Sequence, residues 1–355
     1  MDPRTWRVLA LALAAQAMGC SGGGGQQAND GRQTSSASAS SSSGPGTASA
    51  SSSASARPAT SVAAGSATSP PPRCEVEPRD LAASPGFDGL AGASGLLAKG
   101  SAKQAVAELQ KHLKTRPPWA EAIVAEALLG RACVGAKDTK CAEDAYKVVL
   151  KMYEPSRLQQ ELGGLEDAPR EAIIKRLMLA VGEAQFFFAD RKVASAVSDA
   201  PPVLKKSSST AEVSEFVRTR FADWLKKHRT AAQEADAELQ KVTSAQPAPA
   251  PEWVVRAAER AGMLWAAHVD AVRTAPVPAE WQGTGKLPGT DISREEIRAQ
   301  YQDALDSALE PDRQRAEGAY KFCVSLAEKM CLPGMPEAQR CLQWVEQHPS
   351  KTSTP

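Results

Sequence analysis

The stretch Leu96–Pro118, "LLAKGSAKQAVAELQKHLKTRPP", decides the architecture. Ala102, Ala105, Val106, Leu109 and Leu113 recur at steps of three and four residues, so they share one face of an α-helix. Gly100 precedes this run and Pro117-Pro118 stops it. A small residue at Ala105 lets an antiparallel neighbour approach, and the proline pair frees the chain to start that neighbour. The design is repeated over Trp119–Tyr153. Ile123, Ala127 and Leu128 mark one helix, and Ala142, Ala145, Val149 and Met152 mark the next. A third pair is expected within Glu171–Val197, "EAIIKRLMLAVGEAQFFFADRKVASAV".

Further along, Ser209-x-x-Glu212 is a capping-box pattern. Behind it Val217, Phe221, Trp224, His228, Ala231, Ala235 and Leu239 step by threes and fours along one long amphipathic helix. "PAPAPEW" breaks that helix. Another is expected from Glu252 to Thr274, packing through Val255, Ala258, Met263, Trp265 and Val269. After a Pro/Gly loop, Ser293-x-x-Glu296 caps the following helix, and a last pair is expected at Asp312–Met330 and Glu337–Gln347. No segment shows sustained alternation of apolar and polar residues, so the fold class is all-α.

The residues Gly100, Ala105, Leu109 and Pro117 resemble the second helix of a tetratricopeptide repeat, and the likeness extends over residues 86–155. It implies helical hairpins stacked as a solenoid or bundle. Such a stack presents an extended surface to a peptide or a partner domain. "EWVVRAAERAGMLWAAHVDAVRTAPVP" and "YQDALDSALEPDRQRAEGAYKFCVSLA" resemble the C-terminal part of repeat proteins from gliding deltaproteobacteria.

Composition narrows the function classes. Hydrophobic residues make up 42% and aromatics 5%, which suits close helical packing. A net charge of +1 gives no reason to expect nucleic acid, whose binding depends on clustered Lys and Arg. Residues 1–19 read as an export signal. Arg4 and Arg7 precede the apolar run Val8–Met18, which is shorter than the roughly 20 residues a membrane-spanning helix needs. Two processing readings follow. Ala15-Gln16-Ala17 is a signal-peptidase site that would give a soluble secreted protein. Ala17-Met18-Gly19-Cys20 resembles the lipobox of bacterial lipoproteins, which implies acylation of Cys20. The chain has seven cysteines, and lipidating Cys20 leaves an even set for an oxidising compartment, so the lipobox reading is preferred. Residues 20–73 are a Ser/Ala/Gly-rich tether without apolar periodicity, with an r.m.s. span of roughly 40 Å as a flexible coil. Residues 74–348 form the helical domain, and residues 349–355 are a disordered tail.

Cys133 and Cys141 flank a seven-residue segment evenly and suit a bridge across a helical hairpin. Cys323 and Cys341 fall at similar heights on the last hairpin, leaving Cys74 to join Cys331, although six cysteines allow other connectivities. A zinc site from Cys323, Cys331, Cys341 and His348 is the rival, but it lacks the C-x-x-C element of such sites. No metal or cofactor is expected. His228 and His268 lie on helical stripes, where packing is their expected role. "GTGKLP" at Gly283–Pro288 lacks the upstream Gly and the Ser/Thr of a phosphate loop. Glu295-Glu296 and Glu234/Asp236/Glu238 read as solvated helix faces. Phe186, Phe187 and Phe188 cannot all face one core; burial between stacked helices is the expected reading, and exposure of one as a partner contact is the alternative. The expectation is a non-enzymatic, lipid-anchored scaffold or adaptor on the periplasmic or cell-surface side of the outer membrane, joined to envelope proteins. The alternative is a periplasmic binding protein for a small molecule or cell-wall fragment.

Overall fold

The computed structural model describes residues 87–349, apart from Lys206. The export signal, Cys20, the tether, Cys74 and residues 350–355 lie outside them. Within the described residues the chain is helical and has no strand, only an isolated antiparallel bridge between Lys286 and Ser293. The helices are α1 (Ala91–Ala98), α2 (Ala102–Leu113), α3 (Trp119–Gly135), α4 (Thr139–Met152), α5 (Arg157–Leu162), α6 (Asp167–Ser198), α7 (Thr210–Phe216), α8 (Ala222–Thr243), α9 (Pro251–Arg273), α10 (Arg294–Lys329) and α11 (Pro336–Gln347).

The opening stretch folds as α2. Gly100 takes φ +73°, the left-handed conformation that glycine adopts without Cβ strain, and turns the chain from α1 into α2. Ala105 and Leu109 are fully buried where α2 meets α3. The helix ends at Leu113, before Pro117-Pro118. Its neighbour α3 is buried on nearly every side, with Ile123, Ala127 and Leu128 fully enclosed, because α2, α4 and α6 all pack on it. By contrast, α4 buries one stripe: Ala142, Ala145, Tyr146 and Val149.

The expected third pair does not exist. Glu171–Val197 belongs to the single 32-residue helix α6. Its interior has no proline and only one glycine, and its apolar residues run round the helix rather than along one stripe. A helix patterned this way is stable when it is packed on both sides. Leu177, Ala180, Val181 and Ala184 enter a core with α2–α4, while Met178, Ala189, Val193 and Ala196 enter a second core with α8 and α9. Gly182 lets α9 approach closely, since a Cβ there would lie 2.6 Å from Cδ1 of Trp253.

The second half of the chain starts with the capping box as expected. The Ser209 side chain accepts from the Glu212 N–H, and the Glu212 carboxylate accepts from the Ser209 N–H. A π-helical turn, Val217–Phe221, joins α7 to α8 without a break. Ala232, not Ala231, is the buried alanine of the following stripe. Then α9 packs against α6, α8, α10 and α11. The loop before α10 is organised by two arginines. Arg294 donates to the carbonyls of Glu280 and Thr284, at 2.9 and 3.0 Å. Arg298 donates to those of Trp281 and Gly283.

A separate helix at Asp312–Met330 is also corrected. The chain runs unbroken from Arg294 to Lys329, with Pro311 inside the helix. Proline removes one backbone donor and crowds the preceding turn, at a cost of about 3 kcal/mol. Burial of Leu305, Ala308 and Leu309 before it, and of Asp312 and Ala316 after it, holds both sides of the helix in place. Gly182→Val would drive a branched side chain into the Trp253 indole. Urea unfolding should show a loss of about 1–3 kcal/mol relative to wild type. An unchanged midpoint would mean that α6 and α9 are not in close contact.

Candidate functional site

Each half buries a carboxylate against an arginine, and in the second Glu259 is 5% exposed and accepts from Arg340 Nε at 2.9 Å. In the first, Glu183 of α6 is 6% exposed. Arg131 of α3 grips it through two hydrogen bonds, Nε to Oε1 at 2.9 Å and Nη2 to Oε2 at 2.6 Å. The Tyr146 hydroxyl of α4 donates to Oε1 at 3.0 Å. Burial, and then the Glu183 charge, push the Tyr146 phenol far above its ordinary range. The hydroxyl therefore stays protonated and remains a donor. This triad ties α3, α4 and α6 together and has every partner it needs, the mark of a structural group.

In the second half His228 and His268, expected only as residues on separate stripes, are brought face to face, with Asp312 beside His268. Asp312 lies inside α10, and no spacing in the sequence pairs it with either histidine. A cavity of about 20 Å³ adjoins them, lined by Leu225, Arg229, His268, Leu305, Leu309 and Asp312. That volume suits a single water. The rings lie nearly parallel, at 15°, so their nitrogen lone pairs point side by side and do not converge on one ion. Among the described residues no trio of metal-ligating side chains converges.

A second cleft, of about 80 Å³, opens between α9, α10 and α11. Val269 and Ala316 are buried in its wall, Trp344 is half-buried, and Asp270 and Arg273 are exposed beside them. The Trp344 indole is covered on both faces, by Tyr320 at 4.4 Å and His348 at 4.2 Å. It offers a visitor only its edge. Arg313 is engaged by Glu310, and Arg273 by Asp306. Exposed apolar side chains lie elsewhere on the surface: Val203 is 84% exposed, Phe322 51% and Leu342 47%.

Cys133 is disulfide-bonded to Cys141 across the α3–α4 turn, and Cys323 to Cys341 across the α10–α11 turn. The second bridge takes two of the four ligands of the rival zinc set. Cys331 is also disulfide-bonded, but Cys74 lies outside the described residues. The three phenylalanines are shared between the cores. Phe186 packs on Trp253 at 5.3 Å, and Phe187 packs on Tyr146 at 4.8 Å and Phe188 at 5.2 Å. None of them is fully exposed. In the Gly283–Pro288 loop the backbone carbonyls of Gly283 and Thr284 face arginines, and Lys286 pairs with Asp291 at 3.0 Å.

No protein-family model matches the chain, and neither does any curated protein or solved structure.

Removing Arg131 would leave a buried carboxylate with only a phenol as partner. Breaking a fully buried pair costs about 3–5 kcal/mol. Arg131 is 43% exposed, so Arg131→Ala should cost about 2–3 kcal/mol by urea unfolding. Arg131→Met combined with Glu183→Met and Tyr146→Phe, which leaves no buried polar atom unpaired, should recover most of that loss. If the single variant is as stable as wild type, the triad holds nothing together.

Proposed function

We propose that this chain is a lipid-anchored helical scaffold of the bacterial envelope, a protein that binds other proteins rather than a catalyst. The observation that carries this reading is the small size of the two cavities beside the buried rings and Trp344. Pockets for small ligands run to about 300–1,000 Å³. The two cavities described here are about 20 and 80 Å³. The helices spend their apolar faces on one another, and what they offer to a partner is the outside of the stack. The tetratricopeptide likeness gains support from Gly100 at φ +73° and from full burial of Ala105 and Leu109. Cys20 would anchor the chain to the periplasmic or cell-surface side of the outer membrane. The bridges within α3–α4 and α10–α11 fit an oxidising compartment.

The cleft beside Trp344 favours the second reading, a binding protein for a small molecule or a cell-wall fragment, with Asp270 and Arg273 as its polar contacts.

Crosslinking in native cells, followed by pull-down from detergent-solubilised membranes, separates the two. The scaffold reading expects one or two proteins recovered at near-stoichiometric levels. It also expects Cys20→Ala to move the chain into the soluble fraction. An empty pull-down from folded, membrane-bound protein would overturn it. A thermal shift with cell-wall fragments would then favour the cleft.

A further inference from the structure

Three rings lie in a parallel stack inside the second half of the helical domain. Trp224 and His228, both on α8, are 4.7 Å apart at 19°, and His228 and His268 of α9 are 5.1 Å apart at 15°. Trp265 closes the far side, edge-on to His268 at 5.8 Å. The imidazoles are 3% and 1% exposed. Neither ring nitrogen of His228 has a hydrogen-bond partner, nor does Nδ1 of His268. The nearest carboxylates stand beyond hydrogen-bond reach. Asp199 Oδ2 is 3.8 Å from His228 Nδ1, and Asp312 Oδ2 is 3.6 Å from His268 Nε2.

This arrangement suits two neutral rings and penalises charged ones. Asp312 is 1% exposed and already answers Arg229 at 3.3 Å and Arg315 at 3.9 Å. A proton on His268 would add a third cation to that carboxylate, 5.1 Å from a second imidazole. Burial foremost, then His228, Arg229 and Arg315, pull His268 down to about 3. Burial likewise lowers His228, against an upward pull from Asp199. Asp312 works in the opposite sense. Burial raises its carboxyl, against Arg229 and Arg315, so the folded state accepts a proton there more readily than the open chain does.

We propose that the His228–His268 pair is an acid-operated latch: uncharged, the rings lock α8 to α9, and a proton on either one frees α8 and α9 while α2–α4 stay packed. The sign follows from proton counts. Both rings bind protons less readily folded than open, so the lock is complete above their ordinary value of 6.5. It weakens as pH falls below that value. Each pH unit in that range multiplies the open fraction by about tenfold for His268, and protonation of Asp312 and of Asp236, whose carboxyl beside Trp265 and Arg315 is also raised by burial, offsets part of this. The first half keeps its packing because the buried histidines both belong to the second. Opening would expose the now buried side chains of Phe216, Phe221 and Trp224. The latch does not depend on the scaffold reading.

Hydrogen exchange of the full chain, measured from about pH 7.5 to 4.5 and normalised to intrinsic amide rates, tests it. Protection of residues 222–243 and 251–273 should fall at least about tenfold across that range, while residues 102–152 hold theirs. His228→Phe combined with His268→Phe keeps stacked rings but removes the protons, so its protection should stay flat. Histidine NMR signals of wild type supply a reading independent of whether that variant folds: the two rings should take up protons where residues 222–243 lose protection. Unchanged protection in wild type would overturn the latch. So would an equal loss in residues 102–152, a double variant that opens as wild type does, or rings that titrate inside an intact fold.

Discussion

One helix packed from two sides joins the two halves of this domain. α6 gives Leu177, Val181 and Ala184 to the first core, and Met178, Val193 and Ala196 to the second. No other helix among the described residues contributes buried residues so evenly to both halves. Gly182 allows the Trp253 indole to approach, and Glu183, next in the chain, points a carboxylate at the first half. One residue therefore sets the distance to one neighbour, and the next sets the register with another. Helix packing alone tolerates sliding, because ridges and grooves repeat. A bidentate arginine–carboxylate contact does not, since both hydrogen bonds are lost over a shift of an ångström or two.

Both halves bury a carboxylate against an arginine, Glu183 on Arg131 and Glu259 on Arg340. In the first, Tyr146 adds a hydrogen bond to the buried carboxylate. The second encloses two imidazoles with unfilled nitrogens next to an ion pair of Arg229 and Asp312. An apolar pair at 228 and 268 would pack with less electrostatic cost. Their placement between Trp224 and Trp265 keeps the rings stacked while leaving them responsive to protons.

Much of the first half was legible in the sequence, because α2 and α4 are amphipathic and one face of each meets solvent. The stripes Ala105/Leu109 and Ala142/Ala145/Val149 name the core residues directly. Local chemistry was equally plain at Ser209 and Ser293, whose caps depend on residues three apart. What could not be read was what depends on distant neighbours. α6 has no single stripe, so its pattern gave no sign of whether it was one helix or two. Pro311 is a breaker by every local rule, and only packing on both sides of it keeps α10 whole. Glu183, Asp312 and the pairing of His228 with His268 are contacts across tens of residues, and no spacing announces them.

The disulfides address the weakness that such a stack leaves. Inner helices have neighbours on both sides, whereas outer ones have fewer and fray first. α11 is the last helix described and rests on α9 and α10. Cys323–Cys341 ties it down at a sequence separation of 18, and Cys133–Cys141 closes the α3–α4 turn at a separation of 8. Loops this short restrict the unfolded chain by about 2.5–3 kcal/mol each. That is modest beside the interior of the domain but large beside the stability of one outer helix. The bridges therefore hold the two hairpins rigid without touching the histidine pair between them. A domain braced in this way can loosen in its second half and still keep its turns closed.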